Sequence, residues 1–386
     1  MSDLAQTEGR ERTKTNALFN DNKLKLGVFG VNCDSGCAMT VVEERHKLSW
    51  ELTKQIAQVA DKAGFEVMVP VARWMGIGGP TNFNGRNFET YTWSAGLAAI
   101  TNHITLTTTS HVQTTHPVFA AKQAATIDHI SGGRYCLNVV CGWFSPEFEM
   151  FGVPFMDHDL RYDYADEWFS IVKRLWTEEG SSCHQGKYFQ IKDAFSMPKP
   201  IQLPLPPVMN AGGSEKGRNF IASQCDVGYM AITDHNDMEA IRRQVEKYRR
   251  LAQDKFGRQV QVWTPAYVVQ RDSDKEAEDY LRYYAIEKGN EMAADASARY
   301  LGVNSEIMPE AAWQTFKLHL KGGYGGYSLV GTAETIAERL ARLSDAGIDG
   351  VAVNWVDYLD GLNRFNAEVM PLLERANLRK PFSPQV

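Results

Sequence analysis

The chain has 386 residues, a formal net charge of −6, 44% hydrophobic and 23% charged residues. That balance is ordinary for a globular enzyme. An acidic protein is also a poor match for nucleic acid or an anionic membrane, since both are held by clustered Lys and Arg.

No apolar run approaches the ~20 residues that a membrane-spanning helix needs. The polar opening MSDLAQTEGRERTKTNALFNDN has no apolar signal core. Residues 1–23 are therefore expected to form a flexible arm, and 24–380 a single domain, in the cytoplasm. KLGVFG (25–30) predicts a strand, and SWELTKQIAQVADKAG (49–64) an amphipathic helix closed by Gly64. EVMVPVA (66–72) is an apolar strand, TYTWSAGLAAIT (90–101) a helix and ITLTTTS (104–110) a β-branched strand. HPVFAAKQAATIDHIS (116–131) begins a helix at Pro117 and stops at Gly132-Gly133.

RYCLNVVCG (134–142) is a strand, LRYDYADEWFSIVKRLW (160–176) a helix and SSCHQGKYFQIKD (181–193) an inserted hairpin or loop. Strand–helix units recur at PVMNAG (207–212), DVGYMAI (226–232) and VQVWTPAYVVQR (260–271), the last leading to a helix near 273–295. A stretch expected to be irregular follows (296–330). TAETIAERLARLSDAG (332–347) is then a helix, GVAVNW (350–355) a strand and 361–376 the last helix.

Eight apolar runs, each followed by a helix and with no linker between them, predict a closed (β/α)8 TIM barrel with insertions. An open doubly wound sheet would carry G-x-G-x-x-G after its first strand, where VNCDSGCAMT stands instead. The cysteines at 33, 37, 136, 141, 183 and 225 have no His pattern beside them to complete a zinc site. They are expected to be reduced thiols with no metal, a redox or metal role for Cys33–Cys37 being the minor alternative.

In a barrel of this kind the reactive groups stand where the strands end. That rule selects Ala72, Arg73 and Trp74, then Thr109 to His111, Trp143 to Gly152, Gly212 to Ser214, and Asn354 to Asp357. Aromatic and hydrogen-bonding groups with few cations suit a flat heteroaromatic ligand. AGGSEKGR (211–218) is either a phosphate seat, with free N–H groups at a helix start beside Ser214, or a plain strand-to-helix turn with Ser214 as N-cap. Asn138, in mid-strand, must be satisfied inside the barrel or at the site. Glu147 and Glu149 are by default solvated loop acids, and His111 and His116 structural side chains.

AAKQAATIDHISGGRYCLNVVCGW (120–143) resembles the bacterial-luciferase-like flavin monooxygenases, nearest the branch that holds the pyrimidine and dimethylsulfone monooxygenases. EFEMFG, HDLRYDYADEW, YFQIKD, PKPIQLPLPPVMNAGGSEKGR and LVGTAETIAERLARLSDAGIDG continue the likeness over about 24–375. The resemblance implies reduced FMN (FMNH2) as cofactor, O2 as co-substrate and a separate NAD(P)H:flavin reductase as partner. The product would be an oxygenated small nitrogen- or sulfur-containing compound, formed through a flavin peroxide at N5 or C4a. By motif, Gly213 and Ser214 with Arg161 and Tyr162 would hold the phosphate, and Ala72, Arg73, Asn138 and Glu147 would line the ring. Thr109 (or Thr108, one residue away in register) and Asn138 would border an oxygen pocket walled by Val69 and Val71, with Trp143 as a shield.

A homo-oligomer, dimer or tetramer, is expected. CDSGCAMTVVEERHK after the first strand matches neither named enzyme, which leaves the substrate open. The alternative is an F420-dependent hydride-transfer oxidoreductase, whose ligand also carries a phosphate. A catalytically silent flavin-binding subunit is the non-enzyme reading, and the presence of Asn138, Trp143 and Ser214 weighs against it.

Overall fold

The computed structural model describes residues 9–303 and 308–383. Its centre is a ring of parallel strands: β1 (Lys25–Phe29), β2 (Val67–Val69), β3 (Thr105–His111), β4 (Tyr135–Val140), β5 (Val208–Asn210), β6 (Val227–Tyr229), β7 (Gln261–Gln270) and β9 (Gly350–Asn354). β9 pairs with β1 and closes the ring as a (β/α)8 barrel. Side chains alternate across its wall. Leu106, Leu137 and Val139 turn out to meet the helices. Val67, Val69, Cys136, Met209, Val227 and Trp263 form a separate buried cluster inside. Trp263 dictates small neighbours there: a Cβ on Gly350 would lie 2.2 Å from its indole.

The barrel is wrapped by α1 (Trp50–Lys62), α2 (Thr90–Ala98), α3 (Pro117–Ser131), a short α4 (Ser145–Met150), α5 (His158–Thr177), α6 (Glu215–Gln224) and α7 (Met238–Phe256). Local chemistry sets their ends. Pro117 opens α3, His116 Nδ1 accepts the Val118 N–H at 3.3 Å, and Gly132 stops the helix at φ 67°. The inserted hairpin is present as antiparallel strands Ser182–Gln185 and Gln190–Ala194. Among the described residues no helix is long and apolar enough to cross a membrane.

Two expectations are corrected. The part of the presumed flexible arm that is described, residues 9–23, is packed against the N-terminal end of the barrel. Arg10–Glu11 pairs with Gln202–Leu203, Arg12 forks onto Asp226 at 2.6 and 3.0 Å, and Leu18 is fully buried in the interior cluster. Asn16 donates to the Tyr135 carbonyl and accepts from Thr105 Oγ1, which ties the arm to two strand starts.

The second correction concerns 273–330. The helix expected near 273–295 divides into α8 (Asp274–Arg282), a wide turn over Tyr283–Glu287 and α9 (Glu291–Tyr300). The stretch read as irregular then holds α10 (Glu310–Gly323) and a ninth strand, β8 (Tyr327–Gly331). β7 is long enough to serve both: its residues 263–267 pair with β9, while 266–270 run past the barrel and pair with β8. α11 (Ala333–Asp345), α12 (Tyr358–Glu368) and α13 (Met370–Arg375) complete the chain.

Candidate functional site

Where β2 ends, the chain runs Pro70, Val71, Ala72, Arg73 and into the C-terminal mouth. Arg73 is buried there, against expectation for so hydrophilic a group. Glu147 explains it. This acid on α4 is fully buried rather than solvated, and its Oε1 lies 3.4 Å from Arg73 and accepts the Trp74 and Met75 N–H groups at 2.6 and 3.3 Å. Arg73 also donates to the Tyr324 hydroxyl at 2.8 Å and lies about 5 Å from the rings of Trp143 and Phe144. Ala72, Arg73, Trp143 and Glu147 are thus brought into one knot. Glu147 serves it as an anchor, its charge spent on the 73–75 turn. Glu149 is exposed.

The second group stands on the wall itself. Thr109 and Asn138 are directly opposite each other on β3 and β4 and nearly buried. Thr109 Oγ1 donates to the Pro70 carbonyl at 2.6 Å, so it must accept from Asn138 Nδ2 at 3.2 Å. The hydroxyl proton is therefore committed, and Asn138 Oδ1 is left buried with no partner among the described residues. Thr108, the neighbouring alternative, faces outward and bonds Tyr135 at 2.5 Å. His111 lies 3.6 Å from Glu147 Oε2, and burial together with nearby Arg73 pushes its imidazole down to about 3.

The third group is the turn between β5 and α6. Asn210 donates to the Val139 carbonyl at 2.6 Å and accepts the Gly212 N–H at 2.7 Å, which locks the turn to β4. Ser214 is the N-cap of α6, accepting the Gly217 N–H at 3.0 Å. A Cβ on Gly212 would sit 2.5 Å from Gly217 Cα and 2.7 Å from the Tyr162 hydroxyl, whereas one on Gly213 would meet nothing within 4 Å among the described residues. The cradle is tight on the protein side and open on the other. Tyr162 and Ser214 also border a groove of about 910 Å³ between α5 and α6. Arg161 donates to the Gly142 carbonyl and stacks on Phe155 at 4.6 Å, which joins α5 to the loop after β4.

Several groups at this end escaped the sequence reading. Tyr229, paired in register with Trp263, has a buried hydroxyl without a partner among the described residues; Asn354, which the strand-end rule did select, has a side-chain oxygen in the same condition. Tyr324, in the Gly-rich run read as structureless, binds Arg73. His235 and His319 lie ring against ring, tilted by 39°, beside Tyr267. No sequence spacing marks these groups, because they come from separate βα units. Cys33 and Cys37 are free, fully buried thiols, and burial holds both up, Cys37 at about 12, in the protonated form that neither metal binding nor disulfide exchange uses. Among the described residues no His, Cys, Asp and Glu group could hold a metal.

A family model described as luciferase-like monooxygenase matches residues 29–350. The FMNH2-dependent dimethylsulfone monooxygenase of Pseudomonas putida is 30% identical over 356 residues, covering 91% of this chain and 95% of its own. Pyrimidine monooxygenase RutA of Rhizobium rhizogenes (strain K84) is 30% identical over 366 residues, covering 93% and 98%. The crystal structure of the long-chain alkane monooxygenase LadA matches with a TM-score of 0.81 at 19% identity, over 95% of this chain and 94% of that one. At that identity it speaks for the fold alone.

Proposed function

The chain belongs to the luciferase-like monooxygenase family, and from that premise we propose that it is the oxygenating half of a two-component system. It is a flavin-dependent monooxygenase that uses reduced FMN and O2. In our reading a separate NAD(P)H:flavin reductase supplies the FMNH2, and a small nitrogen- or sulfur-containing compound receives the oxygen atom. A cytoplasmic homodimer or homotetramer belongs to the same reading.

The residues present fit the cofactor. The open side of Gly213 and the Ser214 cap, with Tyr162 and Arg161 behind them, would hold the phosphate. Ala72, Arg73, Asn138 and Trp143 would line the ring, with Glu147 fixing Arg73 by charge and the 73–75 backbone by hydrogen bonds. When bound, reduced FMN supplies the two electrons that activate O2. Thr109 acts by position: with its proton on the Pro70 carbonyl, it orients the Asn138 amide so that Oδ1 and the second N–H stay available. Trp143 and Phe144 exclude water from that edge, which favours oxygen transfer over release of H2O2.

The unpartnered Asn138 Oδ1 carries this reading, since a buried acceptor without a donor is costly unless a ligand satisfies it. The test is an anaerobic titration with FMNH2, followed by stopped-flow mixing with O2. Binding and a flavin signal that outlasts the free flavin's are expected, and Asn138→Ala should divert oxygen use to H2O2. No affinity for FMNH2 and reoxidation at the free-flavin rate would return the case to F420 and hydride transfer.

A further inference from the structure

A hollow of about 560 Å³ opens on the closed face of the barrel, between the packed arm, the end of α7 and the starts of β7 and β9. Three guanidinium groups line it, Arg12, Arg249 and Arg258, against two carboxylates, Asp226 and Asp349. A smaller hollow of about 280 Å³ shares Arg12, Asp226 and Arg258 and adds the exposed Lys173 of α5. Lys173 has no carboxylate partner among the described residues.

Two of the three arginines are spent. Arg12 forks onto Asp226 at 2.6 and 3.0 Å, and Asp226 Oδ2 also accepts the Val208 N–H at 3.0 Å. Arg249 Nη2 lies 2.9 Å from both Asp349 oxygens and donates to the Gly347 carbonyl at 2.7 Å, while Asp349 accepts the Val262 N–H at 2.7 Å. Arg258 differs. Asp226 Oδ1 stands 3.7 Å from its Nη2, beyond hydrogen-bond reach, and already holds Arg12. Arg258 Nη1 is buried with no hydrogen-bond partner among the described residues. A charged donor held in that condition is costly unless a ligand satisfies it.

The fold fixes the root of this side chain. Gly257 ends α7 at φ 62°, the Arg258 N–H bonds the Ala252 carbonyl at 3.1 Å, and Val260 is buried two residues on. The lining groups leave one positive charge uncompensated, and Lys173 adds a second, in a chain whose net charge is −6.

We propose that this hollow binds a phosphate group, free or as the monoester of a small molecule, with Arg258 as its main ligand. Phosphate at neutral pH carries close to two charges and presents oxygens in several directions. It can therefore take Arg258 and leave the forks on Asp226 and Asp349 in place. A carboxylate, with one charge and two coplanar oxygens, matches the surplus less well. Phe19, on which the Arg12 guanidinium lies at 4.8 Å, gives the hollow an apolar wall for the rest of a monoester. The site is at the opposite end of the barrel from Ser214 and does not rest on the monooxygenase reading.

The test is calorimetry at pH 7.5 and constant ionic strength with sodium phosphate as the probe. Phosphate also fits the cradle at Ser214, so the protein is first loaded anaerobically with one equivalent of FMNH2. Saturable binding is expected. Arg258→Gln should weaken it about tenfold or more with the melting temperature not lowered, since the side chain has no hydrogen bond to lose. Arg258→Lys, which keeps the charge, should stay within about fivefold. Gln259 is an exposed lining side chain, and Gln259→Glu adds a carboxylate that should weaken phosphate severalfold. Acetate should bind about tenfold more weakly than phosphate. Phenyl phosphate bound more tightly than inorganic phosphate would identify a monoester as the occupant, and phenyl phosphate bound no more tightly the free ion. Arg258→Gln is read against wild type under the same conditions, so the comparison holds whether or not FMNH2 is retained. No saturable phosphate binding by the wild type, or unchanged binding by Arg258→Gln, overturns the site. Acetate held as tightly as phosphate overturns the ligand class.

Discussion

Replacing Glu147 by Gln tests the knot at the mouth. The substitution keeps the volume and one acceptor oxygen for Trp74 and Met75, and removes the charge opposite Arg73. The two side chains are 0% and 1% exposed, so neither water nor salt can take over. Stripping one partner from a buried pair costs about 3–5 kcal/mol. The lower end applies here, because the Tyr324 hydroxyl and the Trp143 and Phe144 rings still contact the guanidinium. An unfolding entropy of ~2.1 cal/mol/K per residue gives about 0.8 kcal/mol/K for a chain of this length, so ~3 kcal/mol lowers the apparent Tm by roughly 4 °C. Thermal melts followed by circular dichroism measure it. An apolar double variant, Arg73→Met with Glu147→Met, should recover most of the loss. A single variant that melts within about 1 °C of wild type would refute the claim that Glu147 holds Arg73 by charge.

Three further outcomes are expected. His111 titrates near 3 when folded and about 6.5 when unfolded, so below pH 6.5 the unfolded chain binds the extra proton and stability falls as pH falls. This one residue accounts for about 2 kcal/mol at pH 5, and His111→Gln should flatten the urea midpoint between pH 6.5 and 5 accordingly. Gly212→Ala forces contacts of 2.5 and 2.7 Å and should weaken FMNH2 binding severalfold or more while lowering Tm; Gly213→Ala should leave Tm unchanged. Leu18→Ala should cost about 3 kcal/mol through a cavity in the barrel floor, read as a lower denaturation midpoint; a loose arm would show no change.

The barrel was legible because strands buried on both faces must be apolar throughout, and KLGVF, YCLNVV and GVAVN carry that constraint in their composition. The turn before α6 with Ser214 as its N-cap was legible too, since its glycines and Ser214 are contiguous. The burial of Glu147 was not, because its partner Arg73 is 74 positions away and only the fold brings them together. α10 was hidden by its ends: Pro309 caps it without a side-chain bond, and it stops at Tyr324 in a left-handed conformation, φ 58°, where glycine is the usual marker. The arm misled because its polar residues read as solvated. Arg12 and Asn16 spend that polarity on Asp226, Tyr135 and Thr105 instead.

The packed arm also bears on how the enzyme can be tethered. The last described residues lie at the same end as the first: Arg379 reaches Glu66 and the Leu24 carbonyl, and the Phe382 ring leans on His103, all at strand starts. Both ends of the described chain thus sit on the closed face, opposite the mouth. The seven-residue β3 alone spans roughly 23 Å of wall at ~3.3 Å per residue. A flexible linker reaches about 5–6 Å times the square root of its length, so some 20 residues cover that height. A reductase fused at either end through a shorter link would hand over its flavin by diffusion, whereas a surface carrying the enzyme by either end would leave every mouth facing the solution.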